Sequence, residues 1–116
     1  RKGSEPEAIR TAVAEMFGYD MDRSVDLCRE EHVYNETCQF CVPESIICAL
    51  EAGSYEEAIR NAISLGGDAD TLAAITGSIA EALFVIPDDL IAGVQAYLKP
   101  EFNPVIETFY DRIGLC

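Results

Sequence analysis

The sequence predicts an all-α protein, and three observations support this. Apolar residues recur at the three- and four-residue spacing of amphipathic helices, as Ile9, Val13 and Met16 do. Glycine and proline fall between these segments, where they typically end or begin helices. No segment shows the sustained apolar–polar alternation that is typical of a strand. At 116 residues, the chain is expected to form a single helical domain over residues 1–116.

The first half of the chain is predicted to contain three helices. Residues 5–17 carry the clearest apolar stripe, and a weaker helix is expected from 22 to about 30. Residues 33–41 have no clear period and are expected to be irregular. Pro43 is then expected to open the next helix, because proline fits the first helical turn.

The second half of the chain is predicted to contain four helices. Ser54-Tyr55-Glu56-Glu57 matches a capping box, so a helix is expected to begin there and to end at Gly66-Gly67. The next helix, about residues 70–84, is apolar on most sides, which is typical of a central helix. Two more are expected, one from Pro87 to about residue 99 and one opened by Asn103-Pro104.

The turn Gly66-Gly67-Asp68-Ala69-Asp70-Thr71 is the main candidate for a functional site. Glycine suits the end of one helix, and Asp70 is expected to cap the next. Two carboxylates about 4 Å apart repel by about 4 kcal/mol at an effective dielectric near 20. A cation, a shared proton or water must relieve that repulsion. Clustered oxygens suit Mg²⁺ or Ca²⁺, and the alternative is a capping Asp without a metal.

The chain around this turn resembles the ADP-ribosylglycohydrolase family. Residues 57–82, which contain the turn and most of both flanking helices, are similar to the C-terminal signature of that family. Thr37-Cys38-Gln39 and Val42-Pro43-Glu44-Ser45-Ile46 resemble its Ser-Cys-Gln-Gly-Thr-Val-Pro segment, although Phe40-Cys41 replaces Gly-Thr. The resemblance implies a compact multi-helix orthogonal bundle, a partial form of the family fold.

The resemblance also implies a chemistry. Family members are hydrolases that cleave the glycosidic bond between ADP-ribose and an acceptor. They hold two Mg²⁺ ions between an N-terminal Thr-Asp-Asp-like motif and the C-terminal motif. By this resemblance Asp68, Asp70 and Thr71 are metal ligands, and Gly67 binds substrate by letting the backbone approach the ribose.

The N-terminal motif of the family has no counterpart in this sequence. We therefore expect a C-terminal fragment of a magnesium-dependent enzyme, which is inactive alone and binds Mg²⁺ weakly or not at all. Its partner would be an ADP-ribosylated substrate, met through the full-length protein. The alternative is a non-catalytic helical binding or assembly module derived from the family.

The charge of the chain restricts its partners. Eight Lys and Arg stand against 21 Asp and Glu, for a formal net charge of −13. This argues against nucleic acids and anionic membranes, which bind basic surfaces. No apolar stretch approaches the length of a membrane span. Self-association through exposed apolar surface is expected, because a fragment would expose the surface that packs against the missing part.

The five cysteines suggest a compartment and one alternative site. An odd number of cysteines without a secretory signal favours reduced thiols in a cytoplasmic protein. Cys38, Cys41 and Cys48 with His32 form an alternative zinc ligand set. Structural zinc sites usually have two paired motifs, and only one pair is present. Cys–His catalysis would need a base within hydrogen-bond reach, which the sequence does not show.

Overall fold

The computed structural model describes residues 3–114. These residues form seven α-helices and one short 3-10 helix, with no β-strand among them, which confirms the all-α prediction. In chain order the helices are α1 (Pro6–Phe17), α2 (Val25–Glu31), α3 (Cys38–Leu50), α4 (Tyr55–Leu65), α5 (Ala69–Leu83), α6 (Asp88–Gln95) and α7 (Asn103–Ile113), with the 3-10 helix Pro100–Phe102 before α7.

The helices fall into two compact units that divide between Ile86 and Pro87. The first unit contains α1 to α5, and the second contains α6, the 3-10 helix and α7. The prediction of one domain over residues 1–116 stays a prediction. All residues of the candidate site belong to the first unit.

Helix α5 is the centre of the first unit, as its apolar sequence predicted. It packs against both α3 and α4, which also pack against each other. Leu72 of α5 and Ile47 of α3 are fully buried, and each contributes roughly 1.5–3 kcal/mol by burial. At Gly77, a Cβ atom would lie 3.1 Å from both Ile59 Cδ1 and the Tyr55 hydroxyl. Helices α4 and α5 therefore approach closely because position 77 carries no side chain.

Helix α3 begins earlier than the sequence predicted. Residues 38–41 were expected to be irregular, with the helix opening at Pro43, but the helix begins at Cys38 and includes Pro43. The amide of Thr37 donates to Asn35 Oδ1 (2.9 Å), and this contact shapes the approach to the first turn. Proline removes one intrahelical hydrogen bond, yet eight α3 residues are buried. The burial of these residues offsets the preference of Pro43 for the first turn of a helix.

Helix α4 begins at Tyr55, which confirms the capping-box prediction. The Glu57 amide donates to Ser54 Oγ (3.1 Å). The Glu57 carboxylate accepts from the Gly53 amide (2.8 Å), one residue before the usual partner in a capping box. The α4 start is thus fixed by two side-chain contacts, and the helix then runs to Leu65 without interruption.

The second unit has few buried side chains. Helix α6 ends at Gln95, earlier than the predicted end near residue 99. Neither α6, α7 nor the 3-10 helix has a residue in the buried class. Within residues 3–114, no helix has the combination of length and apolar character that a membrane crossing requires. Exposed large apolar side chains of this unit are Ile91, Val94, Tyr97, Phe102, Val105, Ile106, Phe109 and Ile113.

Candidate functional site

The candidate site is built on the turn between α4 and α5. Gly66 and Gly67 have φ angles of +83° and +61°, a region that glycine enters without steric strain. The Gly66 amide donates to the Ile63 carbonyl (3.1 Å) and closes α4. The prediction that the glycine pair ends this helix is therefore confirmed.

Asp68, rather than Asp70, stands at the N-cap position of α5, so the capping prediction was wrong by two residues. Asp70 is the second residue of the helix. The Leu72 amide donates to the Asp68 carbonyl (3.0 Å), the first intrahelical bond of α5. The helix begins early because Gly66 and Gly67, both with positive φ, complete the change of direction. The Asp68 side chain makes no capping hydrogen bond, so it remains available for other contacts.

The carboxyl groups of Asp68 and Asp70 lie together. A side-chain hydrogen bond from Asp68 lowers the pKa of the Asp70 carboxyl below its ordinary value, and the Thr71 amide adds to this effect. That amide donates to Asp70 Oδ1 at 3.0 Å. Asp68 is half-buried, whereas Asp70 and Thr71 are exposed to solvent.

Other polar groups lie near this pair. Burial raises the pKa of the Cys41 thiol, and the negative charge of Asp68 raises it further. The pKa of Tyr34 is raised chiefly by its hydrogen bond to Glu36, and the charges of Asp68 and Asp70 contribute less. The N-terminal part of α3 and the segment before it therefore lie within electrostatic reach of the acid pair.

The predicted metal ligands lie next to one another at the start of α5. Among residues 3–114, no group of three or more His, Cys, Asp or Glu side chains is arranged to hold a metal ion. Asp68 and Asp70 are two carboxylates, and Thr71 adds a hydroxyl in the next position of the helix. These hard oxygens suit Mg²⁺, which usually binds through one or two carboxylates and keeps several waters.

The alternative zinc set gains no support from the described residues. Cys38 is exposed, whereas Cys41 and Cys48 are buried. The Cys41 thiol donates to the Asn35 carbonyl at 3.1 Å. Burial raises the pKa of Cys48 to about 12, so its metal-binding thiolate is disfavoured. His32, the fourth member of the set, contacts Glu44 instead.

A cluster of polar side chains beneath the turn, centred on the buried Glu44, was missed by sequence reasoning. Glu44 on α3 has a side chain only 2% exposed. Its Oε2 lies 2.9 Å from His32 Nδ1, and its Oε1 lies 3.2 Å from Arg23 Nη1. The one available signal was a glutamate inside the otherwise apolar run of α3. That signal does not identify the partners, because both come from residues well before the helix.

The His32 ring lies directly under Gly67. A Cβ atom at position 67 would be only 2.5 Å from His32 Nε2 and 3.4 Å from Tyr34 Cδ2. His32 Nε2 is buried and has no hydrogen-bond partner among the described residues. Glycine at 67 is thus required by this contact as well as by its positive φ. Its predicted role in substrate binding stays a prediction.

The sequence profile of one family, ADP-ribosylglycohydrolase, matches residues 3–115. The match includes helix α3, the Gly66–Thr71 turn and helix α5, which together carry the site described above. No curated protein is significantly similar to the chain. No solved structure is significantly similar to it either.

Proposed function

The chain belongs to the ADP-ribosylglycohydrolase family, and we propose that it supplies the C-terminal ligands of a magnesium-dependent hydrolase site. The reaction proposed is cleavage of the glycosidic bond between ADP-ribose and an acceptor. The observation that carries the proposal is the pairing of the Asp68 and Asp70 carboxyls at the start of α5. Two acids held together in this way need a cation or a proton between them.

In this proposal Asp68, Asp70 and Thr71 hold Mg²⁺, and Gly67 lets the backbone approach the ribose. When bound, Mg²⁺ supplies polarisation of the ribose oxygens and activation of water. The chain contributes fixed geometry, because α5 packs against two other helices and holds the start of its first turn in place. The helix N-terminus adds a positive partial charge, which favours the ionised carboxylates.

Two carboxylates and one hydroxyl leave half of an octahedral Mg²⁺ shell to water. We therefore propose that this chain alone binds Mg²⁺ weakly, with an affinity that a titration can still measure. A complete binuclear centre would draw further acidic ligands from outside the described residues, since these offer no third carboxylate at the turn. The ADP-ribosylated substrate would be bound by that complete centre.

The alternative, a non-catalytic helical binding module derived from the family, is favoured by the same lack of a third ligand. The two proposals predict different behaviour towards ADP-ribose. A protein that holds the complete metal centre gains affinity for ADP-ribose when Mg²⁺ is added, whereas a metal-independent module binds its ligand equally well with or without the ion. A cytoplasmic location is also proposed, supported by the four described cysteines, which are free thiols.

The test is titration of the folded chain with Mn²⁺, followed by electron paramagnetic resonance, with Mg²⁺ as competitor. The double variant Asp68→Ala, Asp70→Ala should lose the site. A matched control is Asp88→Ala, Asp89→Ala, which removes two exposed acids from the start of α6. Equal loss in both variants would mean that the ion responds to net charge rather than to the turn, and would refute the assignment.

A further inference from the structure

The buried cluster of Arg23, Glu44 and His32 ends at the turn that carries the acid pair. We propose that His32 is a positioning residue, which fixes the backbone at Gly67 and thereby the placement of Asp68 and Asp70. The inference rests on the proposed function for its metal-binding consequence. Its structural part, the support of the turn, can be tested without a metal.

The first step is the fixing of the ring itself. A carboxylate accepts hydrogen bonds, so the contact is made by the His32 tautomer that donates its Nδ1 proton to Glu44. Arg23 holds the other oxygen of the same carboxylate. With 8% of the His32 side chain exposed and 2% of that of Glu44, neither group has much freedom to rotate. The imidazole plane is therefore set from the α3 side.

The second step is the direction of the remaining nitrogen. With Nδ1 bonded to Glu44, Nε2 lies on the opposite side of the ring and points at the turn. It is buried and unpartnered, which is rare for a polar atom. A Cβ atom at position 67 would lie 2.5 Å from this nitrogen, and glycine has no such atom. The ring thus fills the space that any other residue at 67 would need.

The third step is the consequence for the acids. Gly67 immediately precedes Asp68, the N-cap of α5, and its φ of +61° sets the direction in which α5 departs. If the ring were removed, the glycine pair would lose its support from below and gain freedom in φ, since glycine has little intrinsic restriction. The shared geometry of the two carboxyls would then be lost, although α5 itself would remain packed.

Three variants separate this role from a general contribution to stability. His32→Asn keeps a donor near the position of Nδ1 but removes the ring atoms against Gly67. His32→Gln keeps a polar atom near the position of Nε2. Met21→Ala removes a core side chain, 2% exposed, that belongs neither to the Gly66–Thr71 turn nor to the Glu44 cluster, and serves as a control for lost stability.

The first measurement is the backbone ¹⁵N order parameter of Gly67 and Asp68. We expect His32→Asn to lower it from about 0.85, the value for rigid backbone, to below about 0.6. Met21→Ala should leave it unchanged, and His32→Gln should keep it near the wild-type value. Equal order parameters in the wild type and His32→Asn would overturn the proposal, whether or not the chain binds a metal.

The second measurement is the dissociation constant for Mn²⁺. Loss of a supporting residue typically weakens metal binding by 10–100-fold, so about tenfold is expected for His32→Asn and no change for Met21→Ala. Should Asp68→Ala, Asp70→Ala leave Mn²⁺ binding intact, the proposed function fails while the order parameters still decide the role of His32. Conversely, the double variant could lose Mn²⁺ binding while His32→Asn keeps it. That result would refute the positioning role of His32 and leave the proposed function intact.

Discussion

The ring of His32 occupies the space that a side chain at position 67 would need, so the two residues are fitted to each other. A Cβ atom there would be 2.5 Å from Nε2. This is closer than non-bonded atoms approach, and the histidine cannot easily turn away because Glu44 holds its other nitrogen. The glycine and the histidine thus constrain one another across the turn.

Gly67→Ala is expected to destabilise the protein by more than the usual penalty for a left-handed residue. That penalty is roughly 1–2 kcal/mol for a residue with a Cβ atom. Gly18→Ala is the matched control, since Gly18 has a φ of +68° but no atom within 4 Å of its Cβ position. Urea unfolding measures both. A loss at 67 no greater than the loss at 18 would contradict the contact with His32.

Glu44→Ala should be among the most destabilising single substitutions in the first unit. It removes the acceptor of His32 and one of the two carboxylate partners of the partly buried Arg23, and breaking a buried pair typically costs about 3–5 kcal/mol. Glu56→Ala is the control, because its pair with Arg60 is exposed and worth at most about 1 kcal/mol. Thermal or urea unfolding of the two variants gives the comparison, and similar losses would argue against a cooperative cluster.

Stability should fall as the pH rises above about 9. Burial raises the pKa of Cys28 from 9.0 to about 11 and that of Cys48 from 9.0 to about 12. Between these values the unfolded chain releases protons that the folded chain retains, so alkali favours unfolding. The stabilising effect is complete below pH 9 and is lost as the pH rises towards the folded values. Urea midpoints measured at about pH 8 and about pH 10 test this.

The double variant Cys28→Ala, Cys48→Ala should show a smaller alkaline loss of stability than the wild type. Its stability at neutral pH will be lower, because two fully buried side chains are shortened. The decisive quantity is therefore the difference between the two pH values within each protein. An unchanged difference would mean that other groups cause the alkaline effect.

The isolated chain is expected to show no ADP-ribosyl hydrolase turnover with Mg²⁺ present. Its described residues place only two carboxylates at the turn, and no third metal-binding side chain joins them. Release of ADP-ribose from a modified acceptor, followed by chromatography, is the measurement. Turnover that disappears in Asp68→Ala would show that this chain completes a centre by itself and would overturn the expectation.

Self-association is expected at high protein concentration. Helix α7 and the 3-10 helix expose Phe102, Val105 and Phe109, and such a patch is typical of an interaction surface. Static light scattering should therefore give an average mass that rises with concentration. Val105→Lys with Phe109→Lys should suppress the rise, whereas Val33→Lys, also at an exposed site, should not.

Local chemistry explains which parts of the fold could be predicted. The capping residues of α4 and the glycine pair that ends it act within a few residues, so their effect can be read from the sequence. The pairing of Asp68 with Asp70 also follows from a short separation. The start of α3 could not be predicted, because burial of the helix overrides the preference of Pro43 for a first turn.

The cluster under the turn shows most plainly which contacts could not be predicted from the sequence. Its contacts join Arg23, His32 and Glu44, which are far apart in the sequence, and then Gly67, which is farther still. Each residue alone has an ordinary surface explanation in the sequence. Only packing brings them together, and the buried position of Glu44 makes the loss of its partners costly.

The absence of a side chain at Gly77 allows the close packing of α4 and α5. An added methyl group would lie 3.1 Å from Ile59 Cδ1 and from the Tyr55 hydroxyl, so these side chains or the spacing of the two helices would have to give by a few tenths of an ångström. Because α4 and α5 flank the Gly66–Thr71 turn, a wider spacing between them would change the geometry of the turn, although Gly77 lies outside it. A mutational scan scored on ion affinity would then detect Gly77 as a hit, although it contacts no ligand.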